Sequence, residues 1–124
     1  KGYSGDGFIS ISKQQNRTIT IPITVDKDAV YSIDFRYANG NGPLNTENKC
    51  AIRTLKEGNK ELGVVVFPQR GNDEWSNWGY SNPVAVYLMK GTHNISLSFE
   101  NANENMNGEM NQAMIDCMRV TRIK

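Results

Sequence analysis

The chain has 124 residues, 38% of them hydrophobic, which suits one hydrophobic core, so a single domain over residues 1–124 is predicted. Basic and acidic residues are balanced at 14 against 13, for a formal net charge of +1, so neither nucleic acid nor an anionic membrane is expected as a partner. No apolar run approaches the roughly 20 residues that a membrane span needs, and a soluble protein without a membrane partner is expected.

Hydrophobic residues alternate with polar residues in several segments, a pattern that is typical of half-buried antiparallel strands. The alternation is clearest in TITIPIT (18–24), VYSIDFRY (30–37) and HNISLSFE (93–100). Five further strands are predicted at Phe8 to Ser12, Cys50 to Leu55, Leu62 to Phe67, Val84 to Leu88 and Met114 to Ile123. About eight or nine short strands without a helical period indicate an all-β sandwich.

Turn-forming residues separate several of these strands. Short turns are predicted at Asp26 to Asp28, at Glu57 to Asn59 and at Lys90-Gly91, and each implies antiparallel neighbours.

Three connections are instead long and polar, at 38–49, 69–83 and 100–112. They contain most of the chain's 15 asparagines and both of its tryptophans. Asn offers hydrogen-bond donors and an acceptor to sugar hydroxyls, and Trp offers a flat apolar face to a sugar ring. These loops therefore favour a sugar site, although any single Asn could instead serve only to form a turn.

The sequence gives little support for catalysis. The only histidine, His93, lies in phase with Ile95 and Leu97 on a predicted strand, which favours a structural role. No nucleophile, phosphate-loop or zinc motif occurs. A hydrolase would have to use loop carboxylates, and this alternative rests on Glu47, Asp73, Glu74, Glu104 and Glu109.

Binding of calcium is a more plausible role for such loop carboxylates than catalysis, because calcium prefers oxygen ligands. Asp116 differs from them because it lies inside the apolar run AMIDCMRV (113–120). A carboxylate there must be ion-paired, bound to a metal or turned to the exposed face.

The two cysteines, Cys50 and Cys117, are separated by 66 residues, which is no metal-ligand spacing and too sparse for a disulfide scaffold. Two small buried thiols are predicted, and a disulfide between them is left open.

Four segments taken together resemble carbohydrate-binding module families 6 and 35. They are YSIDFRYANG (31–40), VVFPQRG (65–71), DEWSNWGYSNPVAVYLMKGTHNISL (73–97) and MIDCMRV (114–120). The resemblance extends over nearly the whole chain. It implies a jelly-roll β-sandwich whose main sugar site lies in loops at one end.

The same resemblance implies particular site residues. Trp78 or Trp75 is similar to the aromatic residue that stacks on the sugar in these families. Asn107 or Asn111 is similar to the residue whose amide forms hydrogen bonds with the sugar. Further candidates for the pocket are Tyr37, Asn39 and Tyr3, with Arg70 or Arg53 to hold hydroxyls or a carboxylate.

Asp116 matches the position of a calcium ligand on the last strand of these families. The Glu-Ala-Glu strand that usually supplies the other acids is not seen ahead of Lys1, which puts structural calcium in doubt.

The resemblance predicts a secreted, extracellular or periplasmic module that is not an enzyme. Its partners would be a polysaccharide or oligosaccharide and a catalytic domain of the same parent protein. The alternative is a structural accessory domain of a glycoside hydrolase or lyase without a sugar site, which a large exposed apolar patch away from the loops would favour. The sequence leaves open which sugar binds, galactose-type sugars and uronic acids both being candidates.

Overall fold

A computed structural model describes residues 9–12, 16–39, 51–68, 78–100 and 113–123. In these ranges the chain forms β-strands joined by turns, and no helix is long and apolar enough to cross a membrane. The strands are β1 (Ile9–Ile11), β2 (Thr18–Val25), β3 (Ala29–Ala38), β4 (Ala51–Glu57), β5 (Lys60–Phe67), β6 (Gly79–Tyr80), β7 (Val84–Leu88), β8 (Gly91–Ser98) and β9 (Ala113–Arg122). The predicted all-β class is confirmed.

All eight predicted strands form, with ends that differ from the prediction by a few residues at most. The stretch 69–83 was predicted as one long connection, and this is wrong because β6 lies within it. A two-residue strand is too short for any alternation to reveal, and β6 exists because it pairs with Arg36 and Tyr37 of β3.

The strands form two antiparallel sheets that make a β-sandwich of the jelly-roll class. The first sheet has the order β1-β9-β3, with β6 and β7 pairing with different parts of β3. The second sheet has the order β2-β8-β4-β5. The first sheet carries the residues of the candidate site.

The core fills the space between the sheets, as the alternation requires. On β3 the side chains of Tyr31, Ile33, Phe35 and Tyr37 are buried. Phe67 of the second sheet meets Phe35 and Tyr37 edge-to-face, with ring centroids 6.1 and 5.1 Å apart. The even-numbered residues of β3 consequently lie on the outer face of the first sheet.

The predicted turns form. Residues 26–28 connect β2 to β3, and residues 58–59 close the hairpin of β4 and β5. Gly58 has φ 61° and Gly91 has φ 135°, conformations that residues with a Cβ rarely adopt.

The two long sides of the sandwich differ. On one side β5 approaches β7 so closely that a Cβ on Gly63 would lie 2.7 Å from Cγ1 of Val84. The side chain of Asn82 bridges this side, because its Nδ2 donates to Val64 O at 3.0 Å and its Oδ1 accepts from Val66 N at 2.7 Å.

On the other long side, between β2 and β9, there is a cavity of about 710 Å³. Its described lining combines apolar and polar surface and consists of Ile21, Ile23, Thr24, Val25, Asp26, Tyr31, Met118 and Val120. The sandwich is therefore closely packed along one side and has a depression that is open to solvent along the other.

Cys117 is a free thiol and is half-buried rather than fully buried as predicted. Cys50 lies outside the described residues.

Candidate functional site

Three strands that precede the long connections end at the same end of the sandwich. The last residue of β3, Ala38, pairs beside Met114 near the start of β9. In the second sheet the last residue of β5, Phe67, pairs with the first residue of β4, Ala51, and the last residue of β8, Ser98, pairs with Thr54 of β4. The described ends of all three long connections therefore meet at this end of the fold.

Tyr37 and Asn39 tie the two sheets together there. The Tyr37 hydroxyl donates to Pro68 O at 2.8 Å, and Nδ2 of Asn39 donates to Phe67 O at 2.9 Å. Tyr37 is 2% exposed and Asn39 is 0% exposed. Both side chains thus stabilise this end of the sandwich from within, and their contact with a sugar stays a prediction.

Trp78 lies directly before β6, half-buried, on the outer face of the first sheet. The guanidinium carbon of Arg36 lies 5.3 Å from the centroid of its ring, which is a cation–π contact. Arg36 points outward because the neighbouring residues of β3, Phe35 and Tyr37, point into the core. One side of the indole ring is therefore supported by a charged, planar group.

Asp116 holds this arginine in place. Its Oδ2 accepts a hydrogen bond from Nη1 of Arg36 at 2.6 Å, and the Asp116 side chain is 0% exposed. The pairing register between β3 and β9 shifts between Arg36 and Tyr37, which makes Asp116 the extra residue of a β-bulge. Of the alternatives left open for this carboxylate, the structure shows the ion pair. We call Asp116, Arg36 and Trp78 the Trp78 stack.

No group of three or more His, Cys, Asp or Glu side chains that could hold a metal occurs within the described ranges. A calcium role for Asp116 stays a prediction.

A second arrangement of the same kind lies beside the first. Nε and Nη2 of Arg119 donate to the two carboxylate oxygens of Asp34 at 2.9 and 2.5 Å. The guanidinium carbon of Arg119 lies 3.8 Å from the centroid of the Tyr80 ring. The hydrogen bonds to Asp34 raise the pKa of Arg119 above its ordinary value. We call Asp34, Arg119 and Tyr80 the Tyr80 stack.

The sequence analysis did not select Arg36, Asp34, Arg119 or Tyr80. A signal was available for three of them: the alternation in YSIDFRY places Asp34 and Arg36 on one face, and Trp78 and Tyr80 are two residues apart. Arg119 could not be assigned to that face, because the bulge at Asp116 reverses the alternation along β9.

Arg53 is buried between the sheets, at 1% exposure. Burial, with a smaller contribution from nearby Arg17, lowers its pKa to about 10. Its guanidinium carbon lies 5.0 Å from the centroid of the Phe99 ring. This arginine therefore lies in the interior rather than on the surface where a sugar would bind.

The other predicted site residues lie outside the described residues. They are Tyr3, Arg70, Trp75, Asn107 and Asn111, and the same applies to the carboxylates of the hydrolase alternative, Glu47, Asp73, Glu74, Glu104 and Glu109.

His93 has the structural role that its phase on the strand predicted. One ring nitrogen, Nδ1, lies 2.7 Å from Glu57 Oε2, and Nε2 lies 2.7 Å from Met89 O. Hydrogen bonds to these two acceptors raise the pKa of His93 above its ordinary value, that to Met89 O contributing most. The residue lies near the start of β8, whereas the candidate site lies towards the end of that strand.

No protein-family model matches the chain. Part of a cycloisomaltooligosaccharide glucanotransferase from Niallia circulans is 32% identical to it over 102 residues, which are 82% of this chain and 10% of that enzyme. The structure of a Paenibacillus sp. cycloisomaltooligosaccharide glucanotransferase complexed with cycloisomaltoheptaose matches with a TM-score of 0.70 and 27% identity, over 95% of this chain and 15% of that one.

A family 35 carbohydrate-binding module from an environmental isolate matches with a TM-score of 0.69 and 26% identity, over 97% of this chain and 76% of that module. The chain thus spans a tenth of the curated relative and about three quarters of the isolated module.

The fold is that of a β-sandwich carbohydrate-binding module. Within that class it is the fold of family 35, which several further solved modules of that family share.

Proposed function

We propose that this chain is a non-catalytic carbohydrate-binding module that binds sugar at the end of the sandwich where Trp78 lies. The observation that carries the proposal is the Trp78 stack. A buried carboxylate fixes Arg36, and Arg36 lies against the Trp78 ring. An aromatic ring whose orientation is fixed before binding loses little conformational entropy when a sugar packs on it.

The binding would depend on the apolar C–H face of a pyranose ring packing on the indole. Asn side chains of the neighbouring connections, Asn107 or Asn111, would supply hydrogen bonds to the hydroxyls. Stacking of a ring on one aromatic side chain contributes about 1–3 kcal/mol. Dissociation constants between about 1 μM and 1 mM are expected, which correspond to about 4–8 kcal/mol.

We further propose that the ligand is a glucan of the isomaltooligosaccharide type and that the parent protein acts on such a glucan. Support comes from the names of two relatives, both cycloisomaltooligosaccharide glucanotransferases, one of them solved with cycloisomaltoheptaose. The module would keep the enzyme close to its polysaccharide.

Two observations support a binding rather than a catalytic role. Similar solved structures of comparable length are described as carbohydrate-binding modules. His93, the only histidine, is held by Glu57 and Met89 O at the far end of β8 and has no nucleophile against it among the described residues.

The test is a titration of the chain with isomaltooligosaccharides, a polysaccharide panel and glucuronic acid, followed by tryptophan fluorescence. The Trp78→Ala variant should lose binding by at least about tenfold, which equals 1.4 kcal/mol. Tyr87→Ala is the matched control, because Tyr87 is a 59% exposed aromatic residue on the same sheet, near its other end. Equal affinity of the wild type and Trp78→Ala for every ligand would refute the site.

The second candidate is a structural accessory domain, which one surface feature favours. Tyr87, Met89 and Ile123 are 59%, 60% and 51% exposed. Tyr87 pairs with Val30, and Ile123 N donates to Val30 O, so these apolar residues are close neighbours. An exposed apolar cluster fits contact with a neighbouring domain. Absence of binding to any glycan by a folded wild type would favour this candidate.

Calcium binding and secretion are retained as proposals. Titration with Ca²⁺ in the presence and absence of sugar, with EDTA as the reference, tests the first. A rise in melting temperature on adding Ca²⁺ would support a structural site.

A further inference from the structure

The outer face of the first sheet carries two carboxylate–guanidinium–aromatic arrangements, built in the same way from the same two strands. In the Trp78 stack the carboxylate comes from β9 and the arginine from β3. In the Tyr80 stack β3 supplies the carboxylate and β9 the arginine. In both, a carboxylate that is at most 8% exposed holds an arginine against an aromatic ring.

The two aromatic rings belong to the same short segment. Trp78 and Tyr80 are two residues apart, and Tyr80 pairs with Arg36, the arginine of the neighbouring stack. Side chains at this spacing lie on the same face of an extended chain, about 6.5 Å apart along it. Two rings so placed fit two successive sugar rings of one oligosaccharide.

The Tyr80 ring has an accessible surface. Tyr80 is 45% exposed although Arg119 lies against one face of its ring, so the residue remains accessible to solvent. An exposed tyrosine held by an ion-paired arginine has less freedom to lose on binding than an unsupported one. Tyr80 therefore has the properties of a stacking subsite.

The charges of this surface are balanced. Arg36 is neutralised by Asp116, and Arg119 is neutralised by Asp34 through two hydrogen bonds. A sugar carboxylate would have to compete with these protein carboxylates for the two guanidinium groups, and breaking either pair would leave a buried charge without its partner. The surface therefore favours an uncharged sugar.

We infer that Tyr80 forms a second stacking subsite beside Trp78, so that the site accepts two or more consecutive units of a neutral oligosaccharide in preference to a uronic acid. Arg119 and Asp34 are positioning residues of this subsite, because they act on the sugar through the Tyr80 ring. The inference rests on the proposed sugar-binding function and specifies the length and charge of its ligand.

The experiment compares affinities for glucose, isomaltose and isomaltotriose by isothermal titration calorimetry. In the wild type the affinity should rise by about 5- to 150-fold from glucose to the longer sugars, the range expected from one additional stacking contact. In Tyr80→Ala this rise should disappear while glucose binding stays within about twofold of the wild type. In Trp78→Ala all three affinities should fall.

The charge preference is tested with a glucuronic acid-containing disaccharide against isomaltose. The wild type should prefer the neutral sugar by at least about fivefold. Arg119→Lys keeps the positive charge but lacks the planar group against the Tyr80 ring. It should weaken isomaltose binding and leave glucose binding unchanged, whereas a general loss of stability would affect both. Near-ultraviolet circular dichroism verifies that each variant is folded.

This inference would be overturned if affinity still rose with sugar length in Tyr80→Ala, or if the uronic acid sugar bound more tightly than isomaltose. The proposed function would still be supported in either case, provided that Trp78→Ala lost binding. Failure of the folded wild type to bind any sugar would overturn both together.

Discussion

The ion pair between Asp116 and Arg36 joins a fully buried carboxylate to a guanidinium group that is 26% exposed, with 2.6 Å between Oδ2 and Nη1. Asp116 occupies the bulge of β9, and Arg36 lies against the Trp78 ring. A change at either residue should therefore affect both the stability of the sandwich and the orientation of the aromatic ring.

Replacing Asp116 by alanine should destabilise the fold by about 2–4 kcal/mol, because Arg36 would lose its partner in a partly buried position. Urea unfolding followed by circular dichroism measures the change. The double variant Asp116→Ala with Arg36→Met should recover part of the loss, since no unpaired charge remains. A single-variant cost below about 0.5 kcal/mol, the range of an exposed pair, would contradict the burial of this interaction.

Replacing Gly63 by alanine should destabilise the protein by about 1–3 kcal/mol through overpacking. The added Cβ would lie 2.7 Å from Cγ1 of Val84, where β5 approaches β7. Thermal unfolding of Gly63→Ala and of its combination with Val84→Ala should give a combined cost smaller than the sum of the two single costs.

Gly58 provides the control, because a Cβ there meets nothing within 4 Å but φ is 61°. Gly58→Ala should cost about 1 kcal/mol through backbone strain alone, and Gly58→Asn should cost less because Asn tolerates this conformation. If Val84→Ala changed the stability of Gly63→Ala and of Gly58→Ala by the same amount, a clash between Val84 and the new Cβ at position 63 would be excluded.

The stability of the protein should fall with rising pH through the titration of His93. Its pKa is raised above 6.5 in the folded state, since protonated His93 can donate to both Glu57 Oε2 and Met89 O. This contribution is fully present below pH 6.5 and is lost as the pH rises through the raised folded-state pKa. The effect should be small, because Glu57 is 35% exposed and solvent screens the pair.

The measurement is the melting temperature of the wild type and of His93→Gln between about pH 5.5 and pH 8.5 at low salt. The advantage of the wild type over the variant should shrink as the pH rises. An advantage that grows with pH would show that the neutral imidazole is the stabilising form.

Replacing Asn82 by alanine should cost about 1–2 kcal/mol, because two hydrogen bonds to the edge of β5 are lost. Asn82→Asp keeps the acceptor for Val66 N but loses the donor to Val64 O, so an intermediate cost is expected. Hydrogen exchange at the Val66 amide should accelerate in Asn82→Ala. Unchanged protection of this amide would mean that another group protects the strand edge.

The alternation of apolar and polar residues predicted the strands well because one face of each strand must pack against the core. Val84 to Leu88 was predicted residue for residue. Gly58 and Gly91, which lie in two of the predicted turns, both have a positive φ. The fold thus follows from local patterns together with the resemblance to family 35.

The candidate site was predicted less completely, since it depends on contacts between strands far apart in sequence. The resemblance to families 6 and 35 implied Trp78 or Trp75, but the support of Trp78 by Arg36 and Asp116 depends on the pairing of β3 with β9 across 80 residues. The same resemblance implied Tyr37 and Asn39, and the register directs both of these side chains to the interior. Pairing register is a three-dimensional property that residue type does not encode.

The bulge at Asp116 also changes which residues of β9 face the core: odd-numbered residues do so before it, and even-numbered residues after it. Before it Ile115 is buried in the core, and after it Met118 and Val120 pack against the core while Arg119 points outward. Deleting the extra residue would restore a regular ladder in which Met118 still faces the core and Arg119 still points outward. The bulge therefore has a local consequence: it inserts a buried carboxylate beside Arg36 and leaves the faces of the later residues of β9 unchanged. Related sequences that lack this extra residue should keep the sandwich but lose the carboxylate that holds Arg36.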